Sequence, residues 1–357
     1  MISKILIMFF LLGLTASSSF GQDKNILLKD YDPVSLYEIP KTFPVKAKFP
    51  VIDVHSHPYA KSESEIEEWI NTMDKAGIEK TILLTYQTGA AFDSIYEVYS
   101  KYGDRFEVWC GIDYTGYDQP GWTDKAIKEL LRCYNKGARG VGELGDKGEG
   151  LSYSQPTAAK GMHIDDDRMA PLLKKCGELG MPVNIHVAEP FWMYQPIDKH
   201  NDGLMNAKKW QIDTIKNNIP GHAALLKTLE NAVSSNPQTI FIACHFANTS
   251  YNLQILGNLL KKFPNLYADI SARYAETATI PRYVRKFYEE HQDRLLYGTD
   301  MGMSPSMYTT TFRILETEDE HFYQKDLFSY HWALNGFGLS NNVLKKIYYE
   351  NAKRILE

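Results

Sequence analysis

Short apolar runs alternate along this chain with stretches whose apolar positions recur at helical spacing. The first run, Val51-Ile52-Asp53-Val54, ends in His55-Ser56-His57 and is stopped by Pro58. Ile66, Trp69, Ile70 and Met73 then mark a helix over 64–76, which Gly77 closes. The same reading predicts further strands over 81–84, 106–112, 138–144, 182–188, 239–245, 266–271 and 295–298, with helices over 94–102, 123–135, 168–179, 223–235, 253–262 and 283–291. Strands that alternate with helices and are apolar throughout imply a parallel sheet buried on both faces. Eight such units without a long break predict an α/β chain closed into a (β/α)8 TIM barrel. No G-x-G-x-x-G turn follows the first strand, which counts against a dinucleotide-binding sheet.

Residues 23–48 lack a period and read as an N-terminal arm outside a barrel domain that spans 49–357. Two longer segments, 146–166 and 189–220, follow the fourth and fifth strands and should emerge at the C-terminal face, where TIM barrels build active sites. The second carries Phe191, Trp192, Met193, Tyr194 and Trp210, which serve either as substrate walls or as the insertion's own core.

Composition narrows the function classes. With 44% hydrophobic and 23% charged residues the chain is globular, and a net charge of -5 leaves no basic footprint for nucleic acid. Residues 1–22 begin with Lys4, continue through the apolar run 5–14 and end in Ser19-x-Gly21, the order of a signal peptide cleaved near Gly21. Export to the periplasm or the extracellular space is expected. That run is too short to span a bilayer and no second one is long enough, so no membrane partner is expected. Cys110, Cys133, Cys176 and Cys244 fall in predicted strands and helices without C-x-x-C spacing, and read as core thiols.

The candidate chemistry lies where apolar runs end. Alternation along a strand turns His55 and His57 to one side from adjacent rungs, the arrangement with which two imidazoles grip one metal ion. His186 ends the fifth strand, His245 the sixth and Asp300 the eighth, so all five should meet at one mouth. His163, His200, His222, His291, His321 and His331 fall in loops or helices, as surface or helix-end residues.

His55-Ser56-His57, His186, His245, Gly298-Thr299-Asp300 and the tail IYYENAKRIL over 347–356 together resemble the amidohydrolase superfamily, specifically its amidohydrolase-related branch, over residues 50–357. The resemblance implies metal ligands at His55, His57, His186 and Asp300, with His245 as a catalytic or second-metal histidine. Many relatives bridge two metals with a carboxylated lysine on strand four, where this chain has Glu143 in Gly-Val-Gly-Glu-Leu-Gly. Glutamate there resembles the TatD-like nucleases and phosphotriesterase-related proteins, in which it bridges two ions. A one-ion site with Glu143 accepting from a histidine is the alternative. The ligand types suit zinc best and admit manganese, iron or nickel.

A divalent ion at such a site lowers the pKa of bound water from about 15.7 to about 7 and polarises a carbonyl or phosphoryl oxygen. Asp300 is then the proton carrier and His245 a hydrogen-bond donor to the developing oxyanion. Arg273 either holds an anionic substrate group or forms an ion pair on the barrel rim. Trp192, Tyr194 and Tyr86 are candidate pocket residues. The expected activity is hydrolysis of a small amide, lactone or ester by a secreted enzyme. The alternative is metal-dependent decarboxylation of an aromatic or enol-type acid, which an arginine and aromatic walls suit. Nothing specifies the oligomeric state, and a homo-oligomer stays open.

Overall fold

β1 (Val51–Ser56) is buried at every position, so both of its faces need cover, as in a parallel barrel strand. The computed structural model describes residues 25–152, 157–328 and 330–357; the expected signal peptide lies outside them. After β1 come β2 (Ile78–Leu84), β3 (Phe106–Trp109), β4 (Val141–Asp146), β5 (Val183–Val187), β6 (Phe241–Ala243), β7 (Leu266–Asp269) and β8 (Leu295–Leu296). β1-β2-β3 and β4-β5-β6-β7-β8 pair in parallel and in chain order. Backbone contacts join the two sets into a ring. Cys110 bridges to Val141 between β3 and β4, while Val54 N–H donates to Tyr297 O at 3.0 Å and Asp300 N–H to His55 O at 2.8 Å beyond β8. The fold is a (β/α)8 TIM barrel.

Each strand leads to a helix: α1 (Glu63–Ala76), α2 (Gly89–Tyr99), α3 (Trp122–Lys136), α4 (Ala170–Glu178), α5 (His222–Ser235), α6 (Leu253–Lys262), α7 (Pro281–His291) and α8 (Pro305–Glu316). α1 shows why the pattern was readable. Ser62 and Glu65 form a reciprocal capping box, Ile66, Trp69 and Met73 face the core, and Gly77 ends the helix at φ 80°. α2 starts five residues before the expected 94, because Glu129 on α3 accepts from Gly89 N–H at 2.8 Å and replaces a local cap. Ile52, Val54, Ile82, Leu84, Trp109, Ile242, Tyr267 and Leu296 form a cluster supplied by the strands, the barrel interior. Ala352, in the last helix Asn351–Leu356, joins it and closes that end of the barrel.

Residues 25–32 form a unit of their own with one 3-10 turn, Leu28–Asp30. Residues 33–48 have no regular element. They are pinned where Thr42 N–H and Oγ1 donate to Asp319 at 2.7 and 2.9 Å and Lys48 N–H to Glu316 at 3.0 Å. All four cysteines are free and buried. His222 and His291, at the ends of their helices, are buried rather than at the surface.

The β8–β1 seam carries a buried carboxylate. Asp53 accepts from Thr299 Oγ1 at 2.6 Å, Thr299 N–H at 3.0 Å and His55 N–H at 3.2 Å. Burial still pushes its acid up to about 7 against those bonds. A folded-state pKa above the unfolded one makes this group lose stability as pH rises from about 4 to 7. Thr299→Val should therefore lower unfolding free energy by about 2 kcal/mol at pH 8, where a buried charge loses its best donor, and by less below pH 6. Urea denaturation at both pH values checks this; an unchanged midpoint at pH 8 contradicts it.

Candidate metal centre

Three histidines present the same atom for the same reason. His57 Nδ1–H donates to Leu84 O at 2.8 Å and His245 Nδ1–H to Ser271 O at 3.0 Å, while His55 Nδ1 lies 2.9 Å from Asp269 Oδ2. With Nδ1 tied to the scaffold, each ring turns its Nε2 to the centre. His55 Nε2 is buried and has no hydrogen-bond partner among the described residues. Asp269 holds one of these rings directly and the backbone and serine beside another. Its Oδ2 holds His55, and its Oδ1 accepts from Ser271 Oγ at 2.5 Å and from His245 N–H at 3.0 Å. Burial would raise the Asp269 acid, but His55 overrides it and holds the carboxyl below the usual range.

The backbone bends to deliver these groups. His245 was expected at a strand end, yet β6 stops at Ala243 and His245 lies in the turn Cys244–Asn248. His245, Phe246, Ala247 and Asn248 have φ of 51–58°, a left-handed run that costs each residue free energy. Asn248 Nδ2 braces the run by donating to Val187 O at 3.0 Å and Ala188 O at 3.2 Å. Gly298 is needed because a Cβ there would stand 2.9 Å from His55 Cβ. Asp300 follows at φ 64°.

Around these rings the donors fall into two groups that share Glu143. Asp300 Oδ1 lies 3.2 Å from His57 Nε2 and 3.8 Å from His55 Nε2; Glu143 Oε2 lies 3.5 and 4.0 Å from the same atoms. Glu143 Oε1 lies 2.6 Å from His186 Nδ1 and 3.6 Å from His245 Nε2. An ion with bonds of about 2.0–2.2 Å in a tetrahedron holds its donor atoms about 3.3–3.6 Å apart, which the spacings among His57, Asp300 and Glu143 approach, whereas 2.6 Å between Glu143 Oε1 and His186 Nδ1 is a hydrogen bond. His186 therefore reaches the centre through Glu143 and beside His245, rather than in one quartet with His55, His57 and Asp300. Burial alone would depress the His55 imidazole, but Asp269, Glu143 and Asp300 push it up to about 10. That measures the local demand for positive charge.

One expected role does not survive. A neutral His245 whose Nδ1–H is committed to Ser271 offers a lone pair at Nε2 and no N–H for an oxyanion, and burial keeps the ring from protonating.

A cavity of about 440 Å³ opens on His186, His245 and Asp300, and is walled by Trp192, Met193, Trp210, Phe328 and Tyr330. Arg273 lines it too. It is buried, with Nε donating to Asn248 Oδ1 at 2.9 Å and Nη1 to Ala272 O at 3.1 Å. Tyr86 stands against His57 with ring centroids 5.6 Å apart. Tyr194 does not line the cavity; its hydroxyl accepts from Glu189 N–H at 3.2 Å and its ring packs on His222. Sequence reading missed Asp269, Ser271, Glu189 and Lys147. Two polar residues at alternate positions of an apolar run, Asp269 and Ser271, were a usable signal. Glu189 follows His186 by three residues and Lys147 follows β4, and neither position marks itself.

Residues 52–357 match the model of a family described as Amidohydrolase. No curated protein matches the chain significantly. Among solved structures, a putative amidohydrolase from Staphylococcus aureus is 16% identical with a TM-score of 0.55, covering 86% of this chain and 99% of that one. A 2,6-dihydroxybenzoate decarboxylase complexed with 2,6-dihydroxybenzoate is 16% identical, with a TM-score of 0.52 over 86% of this chain and 98% of its own. A dihydroxybenzoic acid decarboxylase from Polaromonas sp. JS666, with bound manganese and 2-nitroresorcinol, is 14% identical, with a TM-score of 0.53 over 86% and 97%. These likenesses are of fold.

Asp269 fixes the His55 ring through Nδ1 and, through Ser271 and the His245 backbone N–H, the turn that carries His245. Asp269→Asn should weaken divalent-metal affinity about 10- to 100-fold, measured by competition with a fluorescent chelator. An affinity equal to wild type contradicts its orienting role.

Proposed function

The chain belongs to the amidohydrolase family, and from that membership we propose that it is an exported, metal-dependent decarboxylase of an aromatic or enol-type carboxylic acid. The observation that carries the reading is the buried Arg273 guanidinium, set in the wall of an aromatic-lined cavity that also opens on Asp300 and His245. Guanidinium, ring walls and metal donors in one chamber suit a planar acid better than an uncharged ester. The decarboxylase structures of the same fold are consistent with it.

His55, His57, Asp300 and Glu143 would hold a divalent ion, with His186 and His245 completing the set or seating a second. Zinc or manganese would withdraw electron density from a substrate oxygen and so favour departure of carbon dioxide. Arg273 orients the acid, and Trp192, Phe328 and Tyr330 flank the ring and thin the water around it. Breaking the carbon–carboxyl bond leaves an electron pair on the ring carbon, which takes a proton. Asp300, 3.2 Å from His57 and lining the cavity, rests as a carboxylate, so it first takes the proton of the substrate's phenolic or enolic O–H and then hands it to that carbon.

One observation favours the hydrolytic reading. The two oxygens of Glu143 face different imidazole pairs, an arrangement that seats two ions, and paired ions are common in hydrolases. The two readings part on the products.

Metal-replete protein incubated with hydroxybenzoates should release carbon dioxide, and a chelator should abolish release until manganese or zinc is restored. Asp300→Asn should lower kcat by about 1000-fold, and Arg273→Lys should raise KM about tenfold. Ester or lactone hydrolysis with no carbon dioxide released contradicts the decarboxylase reading. N-terminal sequencing of the exported protein checks for cleavage near Gly21.

A further inference from the structure

Glu189 occupies the place a substrate acid would take. It is 7% exposed, three residues beyond His186, and lines the same cavity as Arg273, Lys147 and Asp300. Its carboxylate pairs with Lys147 and lies 3.7 Å from Arg273 Nη2 and 3.5 Å from His186 Nε2. Its ion pair with Lys147 and the guanidinium facing it suit a carboxylate anion in the resting protein.

Arg273 is held by something else. Its Nε is spent on Asn248 at 2.9 Å and its Nη1 on the Ala272 carbonyl at 3.1 Å, with the Tyr330 hydroxyl 3.5 Å away. Its carboxylate neighbours stay beyond hydrogen-bond length, Glu189 at 3.7 Å and Glu276 at 3.9 Å. A buried guanidinium fixed on two edges, with its ionic partners short of contact, presents its remaining edge to the next anion that fits. The wall also holds Lys147 and Lys209, so two lysines and an arginine face Glu189 and Asp300.

Resting on the acid-substrate reading above, we propose that Glu189 is an internal competitor for the substrate carboxylate and thereby sets which acids the site accepts. An incoming acid takes the Nη2 edge of Arg273 and the ammonium of Lys147, and Glu189 gives up both. An anion with no ring to lay against Trp192 and Tyr330 has nothing to offset that displacement. A neutral ester has no charge with which to displace it. Glu189 is thus a specificity-determining residue that reaches the substrate by yielding to it.

The test uses the full-length, metal-loaded protein and benzoate, an unreactive acid, in isothermal titration calorimetry with metal content measured for every variant. Glu189→Gln should bind benzoate about tenfold more tightly, because a competing charge about 4–5 Å away is gone. Acetate should gain at least as much, narrowing the preference for the aromatic acid. Lys147→Met and Arg273→Lys should each weaken benzoate about tenfold. Glu189→Asp, which keeps the charge but retracts it, should tighten less and carries the test if the glutamine variant loses metal. Weaker or unchanged benzoate binding by metal-replete Glu189→Gln overturns the competitor role while leaving the acid-substrate reading intact, provided Arg273→Lys still weakens binding. If none of the variants moves benzoate affinity, the acid-substrate reading falls with it.

Discussion

Everything in this molecule depends on how Asp269 is used. One buried carboxylate on β7 reaches His55 on β1 with one oxygen, and Ser271 Oγ and the His245 backbone with the other. Rings from opposite ends of the chain thereby acquire a common aim. Without that tie an imidazole can turn over, and the lone pairs that converge on Glu143 and Asp300 would point elsewhere. A space shared by several buried imidazoles and carboxylates is costly on its own and becomes favourable once a cation occupies it. The scaffold's work is to keep such a place open.

The barrel does this by being apolar nearly everywhere else. β1 and its neighbours bury both faces, and apart from a few buried polar groups within strands such as Asp53, the polar side chains gather where strands run out. At those ends the chain accepts unfavourable backbone. The left-handed run 245–248 puts His245 beside His55, with rings 4.7 Å apart, and Asn248 both braces that run and fixes Arg273. Metal donors and anion recognition therefore share one support. Above it the aromatic insertion supplies Trp192 and Trp210 to the cavity wall.

How much of this was legible in the sequence follows from how local each feature is. β1 and its two histidines were readable, because an apolar run with period-two polar ends carries its own signal. α1 was readable from Ser62, Glu65 and Gly77, which sit within one segment. The start of α2 was not, since its cap is Glu129, forty positions away. The turn at His245 was not, since Cys-His-Phe-Ala-Asn contains no glycine to announce positive φ. The grouping of His186 with His245 rather than with His57 depends on Glu143 facing both ways, which no spacing encodes. The pairing of Glu189 with Lys147 joins the ends of β5 and β4 and exists only in three dimensions.

A divalent ion held between these imidazoles and carboxylates would be visible by its own scattering. Anomalous X-ray diffraction from crystals of the manganese- or zinc-loaded protein, recorded on both sides of the metal's absorption edge, tests for it most directly. A strong peak is expected within bonding distance of His55 Nε2, His57 Nε2 and Asp300, with any second peak on the His186–His245 side of Glu143. A metal-replete crystal with no peak between those side chains, or with its metal elsewhere on the surface, would contradict the metal centre.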